Sequence, residues 1–390
     1  MSLIALFGRQ PEIGLAELES VLGAECLKPI QGAAIIEKEL PEVPFFRLGG
    51  TIKLGSVLIT LETTQWYDIE KYLVSACAEH SASVPEGKLT IGLSTYGFQL
   101  SNKILERTGL SIKKAVKATG RPVRLVPNKE LDISAAQILH NKLTHENGWD
   151  LILYRDGNRT ILARTAFVQD IEGYSARDQA RPNRDARVGM LPPKLAQIIV
   201  NLAARDLPPK ESRILDPFCG TGVILQEASL MNFSVYGTDN DARMVDYTAK
   251  NLVWLQTRFN VTPIHSVEVG DALKFKWQQP IDAVATEVYL GKPMSGKPEP
   301  KIIREEIAEV QQLLKNALRN LAGQLKAGTP CCFAIPAWFY DGKVHQLPLI
   351  DQIEEIGYNL TRFRHVRPGS LIYRREGQIV GRQLLVVTRK

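Results

Sequence analysis

The chain has 390 residues, 44% hydrophobic and 23% charged, ordinary proportions for folded domains; at roughly 100–200 residues per domain the length predicts two or three. Five scattered cysteines (Cys26, Cys77, Cys219, Cys331, Cys332) form no Cys-x-x-Cys pair, and six histidines show no metal-like spacing, so no disulfide framework and no metal are expected and a reducing cytoplasm fits. No run of ~18 apolar residues exists and residues 1–7 are too short for a signal-peptide core, so neither a membrane span nor a leader is expected.

Residues 2–60 read as a small α/β unit, with strands at 2–7, 32–36 and 45–48 and a helix over 13–22. A second helix fits 64–78, and 90–94 is a strand. Residues 102–117 form a basic amphipathic helix. From there to Arg124, Lys103, Arg107, Lys113, Lys114, Lys117, Arg121 and Arg124 stand against Glu106 alone, an excess as large as the whole chain's net +6. Such a field suits a polyanion, although a solvated helix face explains it equally well. A strand at 123–126 and a helix at 134–142 follow, with Ser134 and Asp132 competing for the cap. Strands at 151–154 and 160–168 are joined by the turn Asp156-Gly157-Asn158. Residues 173–189, with Arg177, Arg181, Arg184 and Arg187, read as a linker or ordered loop whose arginines pair with nearby aspartates or touch phosphate.

After a helix at 194–204, strands and helices alternate: strands at 214–216, 234–239, 264–269, 281–286 and 330–335, helices at 223–231, 243–257 and 301–325. That alternation predicts a parallel sheet covered on both faces. Strands at 362–367, 371–375 and 383–388 lack helices between them and predict an antiparallel edge.

The strongest motif is Leu215-Asp216-Pro217-Phe218-Cys219-Gly220-Thr221-Gly222, where a buried strand gives way to a helix. Gly220 and Gly222 permit a sharp bend and a close ligand approach to main-chain N–H groups. Asp216 suits a ligand carrying ammonium and sulfonium, and the absence of a lysine after Gly222 argues against a phosphate-binding loop. Asp239, followed by Asn240, ends the second strand and can accept both hydroxyls of a ribose. Asp271, followed by Ala272, ends the third and can accept from an exocyclic amine such as adenine's. Together the three acids outline an amino-acid tail, a ribose and a base.

These elements resemble those of Rossmann-like S-adenosylmethionine-dependent methyltransferases and, more narrowly, the THUMP-domain RNA methyltransferases that include the tRNA guanosine-10 N2-methyltransferases. Leu191-Pro192-Pro193-Lys194-Leu195-Ala196 and Val200-Asn201-Leu202-Ala203 resemble that family's segment before its first strand. Val123-Arg124, residues 131–143, and Ala163-Arg164-Thr165 to Gln169-Asp170 resemble a THUMP domain, and Leu6-Phe7-Gly8-Arg9-Gln10-Pro11 with Ala16-Glu17-Leu18 resembles the domain that precedes it. The resemblance implies an α/β fold: a Rossmann-like methyltransferase sheet over 191–390, mostly parallel with an antiparallel edge. Before it come a ferredoxin-like unit (1–62), a THUMP-like RNA-binding domain (63–170) and a linker (171–190). It implies S-adenosyl-L-methionine as cofactor and tRNA as partner, held by the basic stretch and Lys142. It leaves the oligomeric state open.

One segment departs from that family, whose members carry D/N-P-P-Y/F after the fourth strand to receive the target amine. Here Thr286 is followed by Glu287-Val288-Tyr289-Leu290-Gly291. An ungapped match through Gly291 puts Glu287 on the acid and replaces both prolines; a one-residue shift puts Thr286 on the acid and Tyr289 on the aromatic. The ungapped match is preferred because it keeps both acid and glycine. Glu287 is then the amine acceptor, Tyr289 a stacking face, and Cys219 not a nucleophile. Aromatic residues at 336–340 are candidates for a base pocket, core packing or a lid, and the arginines of 374–382 for phosphate contact or a soluble edge. Two other classes remain open: a DNA adenine or cytosine amino-methyltransferase, and a non-catalytic RNA-binding protein that keeps the cofactor fold.

Overall fold

The computed structural model describes residues 2–185, 190–261, 264–292, 294 and 298–390. The chain divides into two compact units, one of Met1–Gly8, Glu25–Phe46 and Thr51–Ile171, the other of Arg9–Ala24, Arg47–Gly50 and Glu172–Lys390.

In chain order the first half contains β1 (Leu3–Phe7), α1 (Pro11–Leu22), β2 (Leu27–Ile30), β3 (Ala33–Ile36), β4 (Thr51–Leu61), α2 (Trp66–His80), β5 (Leu89–Tyr96), α3 (Asn102–Ala118), β6 (Val123–Leu125), α4 (Ala135–His140), β7 (Gly148–Asp156) and β8 (Arg159–Val168). The eight strands form one sheet in the order β2-β3-β1-β4-β8-β7-β5-β6, so the boundary expected at 62/63 falls between strands of a shared sheet. Strand β5 runs parallel to β6 and β7; the other pairings are antiparallel. Buried Leu105, Ile112 and Val116 on α3 pack with Ile69 and Leu73 of α2 and with Leu89, Ile91 and Leu93 of β5. At the centre of the sheet, buried Asp150 of β7 accepts from Lys53 Nζ at 2.8 Å, Ser94 Oγ at 2.7 Å and Thr165 Oγ1 at 2.6 Å, a fully buried charge satisfied from three neighbouring strands. The helix at α4 starts at Ser134, whose Oγ accepts from Gln137 N at 3.3 Å in a capping box, which settles its competition with Asp132.

Two strands of this sheet escaped the sequence reading. β2 is a sheet edge containing Pro29, and β4 carries Lys53, Gly55 and Ser56 where alternation would demand apolar residues. Residues 45–48 are not a strand. Phe45–Arg47 forms a 3-10 turn in which Phe45 stacks on Phe167 at 5.5 Å, a ring contact that outweighs a short apolar run.

The second unit continues with α5 (Ile171–Ser175, its first residue in the other unit), a π-turn (Ala176–Ala180), α6 (Pro193–Ala204), β9 (Arg213–Asp216), α7 (Val223–Leu230), β10 (Ser234–Asp239), α8 (Ala242–Phe259), β11 (His265–Val269), β12 (Ala283–Glu287), α9 (Pro300–Ala322), β13 (Pro330–Tyr340), β14 (Lys343–His345), α10 (Ile353–Ile356), β15 (Tyr358–Leu360), β16 (Ile372–Tyr373) and β17 (Val380–Arg389). Its sheet runs β11-β10-β9-β12-β13-β17-β15, with β14 on β13 and β16 on β17. The first five strands are parallel, and β17 lies antiparallel between β13 and β15. This is the mostly parallel α/β sheet expected, with the antiparallel strand one place in from the edge.

Helix α1 belongs to this unit although it lies near the start of the chain. Its buried Glu17 accepts from Gly49 N (2.8 Å), Gly50 N (2.7 Å) and Asn201 Nδ2 of α6 (2.7 Å); burial still pushes its carboxyl up to about 7. Glu19 of α1 accepts from the backbone N–H groups of Arg364 and His365 at 2.5 and 3.1 Å. Those donors are therefore lost to the sheet, which is why 362–367 is not a strand and β15 takes the edge instead. Within the expected linker, Arg177 is buried and its Nε donates to Glu227 Oε1 of α7 at 2.7 Å, an acid fifty residues on rather than a neighbouring aspartate. Arg187 lies outside the described residues.

Candidate functional site

The order of the sheet makes β9 the turning point: the chain passes to β10 and β11 on one side, then to β12 and β13 on the other. Side chains leaving the carboxyl ends of β9 and β12 therefore face a crevice that the helices cannot cover, where open α/β sheets bind ligands. Asp216 ends β9, Asp239 ends β10 and Glu287 ends β12.

Asp216 is 2% exposed, and its Oδ1 accepts from Thr286 Oγ1 at 2.6 Å and Phe218 N at 3.1 Å. Burial pushes its carboxyl up to about 7 despite those donors, and the negative charges of Asp239 and Glu287 push in the same direction. The bend that follows is glycine-dependent. Gly220 has φ +51° and Gly222 φ +80°, both in the left-handed region. A Cβ on Gly222 would meet Thr248 Cγ2 at 2.7 Å, whereas one on Gly220 would meet nothing within 4 Å. Gly222 is thus required for helix packing, and Gly220 faces open space.

The loop is braced from below. Thr248 Oγ1 donates to Gly220 O (2.7 Å), and Asn251 Nδ2 donates to Thr221 O (2.8 Å) and Asn183 O (2.9 Å). Asp239 accepts from Gly220 N at 2.9 Å and Asp241 N at 3.0 Å, and burial raises its carboxyl above the usual range. Thr248, Asn251 and Asn183 were not picked out from the sequence, and Thr286 was named only in the shifted match, as an acceptor position rather than as a donor to Asp216.

The remaining expected ligand contacts sit at the same edge of the sheet. Phe218 is half-buried against the core, and Asn240 is exposed just past β10. Asp271 has a side chain 37% exposed, and its Oδ1 caps the turn after β11 by accepting from Leu273 N at 3.0 Å. Ala272 is buried, and its carbonyl accepts from Asn320 Nδ2. A buried carboxyl, an open glycine bend and a second acid beside it match the chemistry of a nucleoside carrying an ammonium and a sulfonium. Cys219 is buried and its thiol is held well above its ordinary value, first by burial and then by Asp216 and Asp239, which disfavours the thiolate.

Each residue of the segment at the end of β12 has a different commitment. Thr286 is fully buried with its hydroxyl committed to Asp216. Glu287 is the next residue, and one of its oxygens accepts from the Nε–H of Arg382 on β17. Val288 turns into the core and its N–H donates to Ala334 O at 3.2 Å, extending β12 by one residue. Tyr289 is partly buried on the core's rim. Gly291 (φ +91°) then reverses the chain beneath α9, where buried Glu306 accepts from Lys292 N at 2.7 Å.

The aromatic run expected after the fifth strand is part of β13 itself. Trp338 is fully buried in the core, Phe339 lies under the Arg374 guanidinium at 4.0 Å, and Tyr340 stacks on His345 at 3.9 Å. Phe339, Tyr340, Lys343 and Arg374 line a cavity of about 490 Å³ beside this edge.

In the first unit, Lys103, Arg107, Lys114 and Lys117 are exposed along one side of α3, opposite its buried face, while Lys113 is half-buried and Arg124 is exposed on the edge strand β6. Lys142 is exposed at a positive-φ turn after α4. Arg121 behaves differently, because its guanidinium donates to the carbonyls of Ser81, Val84 and Pro85 and to Asn147 Oδ1. With those donors committed to tying down a loop, it is not available as a free phosphate contact. Among the described residues no group of three or more His, Cys, Asp or Glu could hold a metal, and no helix is long and apolar enough to cross a membrane.

Residues 181–322 match the profile of a family described as RMKL-like, methyltransferase domain. A tRNA (guanine(10)-N2)-dimethyltransferase of Methanothermobacter thermautotrophicus is 35% identical over 221 residues, 55% of this chain and 56% of the relative. The enzyme of the same name from Methanocaldococcus jannaschii is 32% identical over 159 residues, 38% of this chain and 44% of the relative. The chain thus spans about half the length of the curated relatives it matches. The crystal structure of TrmN from Thermus thermophilus superposes over 100% of this chain and 99% of its own with a TM-score of 0.55 at 17% identity, which shows a shared fold.

Proposed function

We propose that the chain is an S-adenosylmethionine-dependent RNA methyltransferase that modifies the exocyclic N2 amine of a guanosine in tRNA. The observation that carries this reading is the convergence of Asp216, Asp239 and Glu287 on the crevice between β9 and β12, beside the open bend at Gly220. The relatives matched over about half their length, whose names place their action on guanine N2 in tRNA, supply the substrate class.

When bound, the cofactor supplies a methyl group on a positively charged sulfur. Asp216 would meet the ammonium of its methionine part, with Gly220, Gly222 and Phe218 the other residues that would hold that part. Asp239 and Asn240 would hold the ribose, and Asp271 with Ala272 the adenine. The amine of guanine is a poor nucleophile because its lone pair is conjugated with the ring. Glu287 would offset this by accepting the amine's hydrogens, which lets the nitrogen lone pair rehybridise toward the methyl group that the bound cofactor would supply. The proton then leaves nitrogen for the Glu287 carboxylate and solvent. Tyr289 offers the base a flat face.

The first unit is the RNA-holding part in this reading, with residues 63–170 THUMP-like after a ferredoxin-like stretch, 1–62, whose residues 9–24 and 47–50 belong to the second unit, and the enzyme acts in the cytoplasm. The α3 stripe contacts phosphate. Changing Lys103, Arg107, Lys114 and Lys117 together to alanine is expected to weaken tRNA binding and to flatten the plot of log affinity against log salt by up to ~3.6 units, at ~0.7–0.9 per phosphate lost. Turnover at saturating RNA stays unchanged, and an unaltered salt slope removes the stripe from the interface.

The reading as a whole is tested by transfer of labelled methyl from the cofactor into tRNA and into duplex DNA, followed by mass spectrometry of the nucleosides. N2-methylguanosine in tRNA is expected. Label in DNA, or cofactor binding without transfer to any RNA, would overturn it.

A further inference from the structure

We propose that Arg382 is a positioning residue for methyl transfer, holding Glu287 ionised and fixed toward the acceptor amine in place of the proline turn this chain lacks. The proposal rests on the methyltransferase reading above.

Strand register brings the two side chains together. Glu287 of β12 lies opposite Ala334 of β13, and Pro336 of β13 lies opposite Arg382 of β17. Side chains alternate along a strand, so Glu287, Ala334, Pro336 and Arg382 share one face of the sheet. The middle strand offers only short side chains there, and the guanidinium reaches across it to donate from Nε to Glu287 Oε1. The side chains of Arg382 and Glu287 are 7% and 18% exposed.

A buried guanidinium keeps its proton, and without an anion it would be an uncompensated charge, so pair formation is strongly coupled. The benefit to Glu287 is specific. Burial raises its carboxyl, and Arg382 is the group that pulls it back down. Asp216 of β9 faces it from one side with Asp239 of β10 beyond, both acidic, while Ala334 and Pro336 of β13 carry no charge. Without Arg382 nothing would oppose the rise that burial gives the Glu287 carboxyl. A protonated carboxyl presents a donor where the amine needs an acceptor. One oxygen bonded to Arg382 leaves acceptor capacity for an amine, because a carboxylate has about four lone-pair sites. Glutamate also has one more torsion than aspartate, and Val288 and Tyr289 do not stiffen the turn as prolines would. The bond to Arg382 removes that freedom.

The test compares wild type, Arg382→Ala, Arg382→Lys, Glu287→Ala and the double variant for transfer to tRNA, with cofactor affinity measured alongside. Arg382→Ala is expected to lower kcat about 100-fold, the scale of an ångström of misplacement, with KM for tRNA and cofactor affinity within about twofold of wild type. The acid limb of its rate profile moves to higher pH, and Arg382→Lys, which restores charge without the fork, recovers on the order of tenfold. Because Arg382 acts only through Glu287, the double variant is no slower than Glu287→Ala. If Arg382→Ala melts too early to assay, Arg382→Gln, which keeps the stem and drops the charge, carries the same expectations. Unchanged kcat and pH profile, or losses that multiply in the double variant, overturn the proposal while leaving the enzymatic reading intact. Absence of transfer by wild type overturns that reading and this one with it.

Discussion

Replacing Asp216 with asparagine is expected to weaken binding of S-adenosylmethionine about 100-fold, some 2.7 kcal/mol at 1.36 kcal/mol per decade, and to abolish its dependence on pH. The carboxyl is buried at the tip of β9 and pushed up to about 7, so near neutrality it is partly protonated before any ligand arrives. A cationic ligand favours the ionised form. Affinity in wild type should therefore rise with pH, approaching tenfold per unit below about 7 and levelling above it, and binding below 7 should release a proton. Removing the Thr286 hydroxyl, which lowers the Asp216 carboxyl, moves the midpoint of that curve to higher pH. Calorimetry at several pH values, in two buffers of different ionisation enthalpy, measures both affinity and proton release. S-adenosylhomocysteine, which keeps the ammonium and loses the sulfonium charge, shows which cation Asp216 meets. Wild-type affinity that is flat between pH ~5.5 and ~8.5 would remove Asp216 from contact with the ligand's charge.

The alternation of strands and helices after Arg213 was legible because short apolar strands there, such as β9 and β12, alternate with helices whose buried residues recur at helical spacing, and the acids at the strand tips follow from that order. The first unit was less so. Strand β4 has eleven residues, yet its Lys53 faces inward to Asp150, almost a hundred residues away, and no local pattern announces an ion pair made across three strands. The same limit applied at the site. Glu287 was found because it follows a strand, but Arg382 looked like any arginine near a hairpin; its partner lies ninety-five residues earlier and is reached over a third strand. Arg121 shows the converse, since its charge is plain in the sequence while the four acceptors that occupy it are not. Charge count finds a field, and only packing says which members of it are free. The strand expected at 362–367 failed for a related reason, because a carboxylate from α1 claims its backbone donors before the sheet can.

Glu287→Gln is expected to lower kcat by 10²–10³-fold, the range seen when one group that stabilises a transition state is removed, with cofactor affinity within about twofold of wild type. The amide has nearly the same shape, but it presents a donor pair and a weaker acceptor to an amine that must be met by acceptors. It also leaves Arg382 buried opposite a neutral group. Burial holds the Glu287 carboxyl above its ordinary value even with Arg382 beside it. The wild-type rate should therefore fall on acidification at a higher pH than an exposed glutamate would give, and that limb should vanish in the glutamine variant. Glu287→Asp is expected to recover little: shortening by one methylene separates the carboxylate from the Arg382 Nε–H, so it loses its brace as it regains the family's acid. Single-turnover transfer to tRNA across pH ~5–9 reads wild type and both variants. If Glu287→Gln turned over as fast as wild type, the acceptor would have to be sought elsewhere on the crevice.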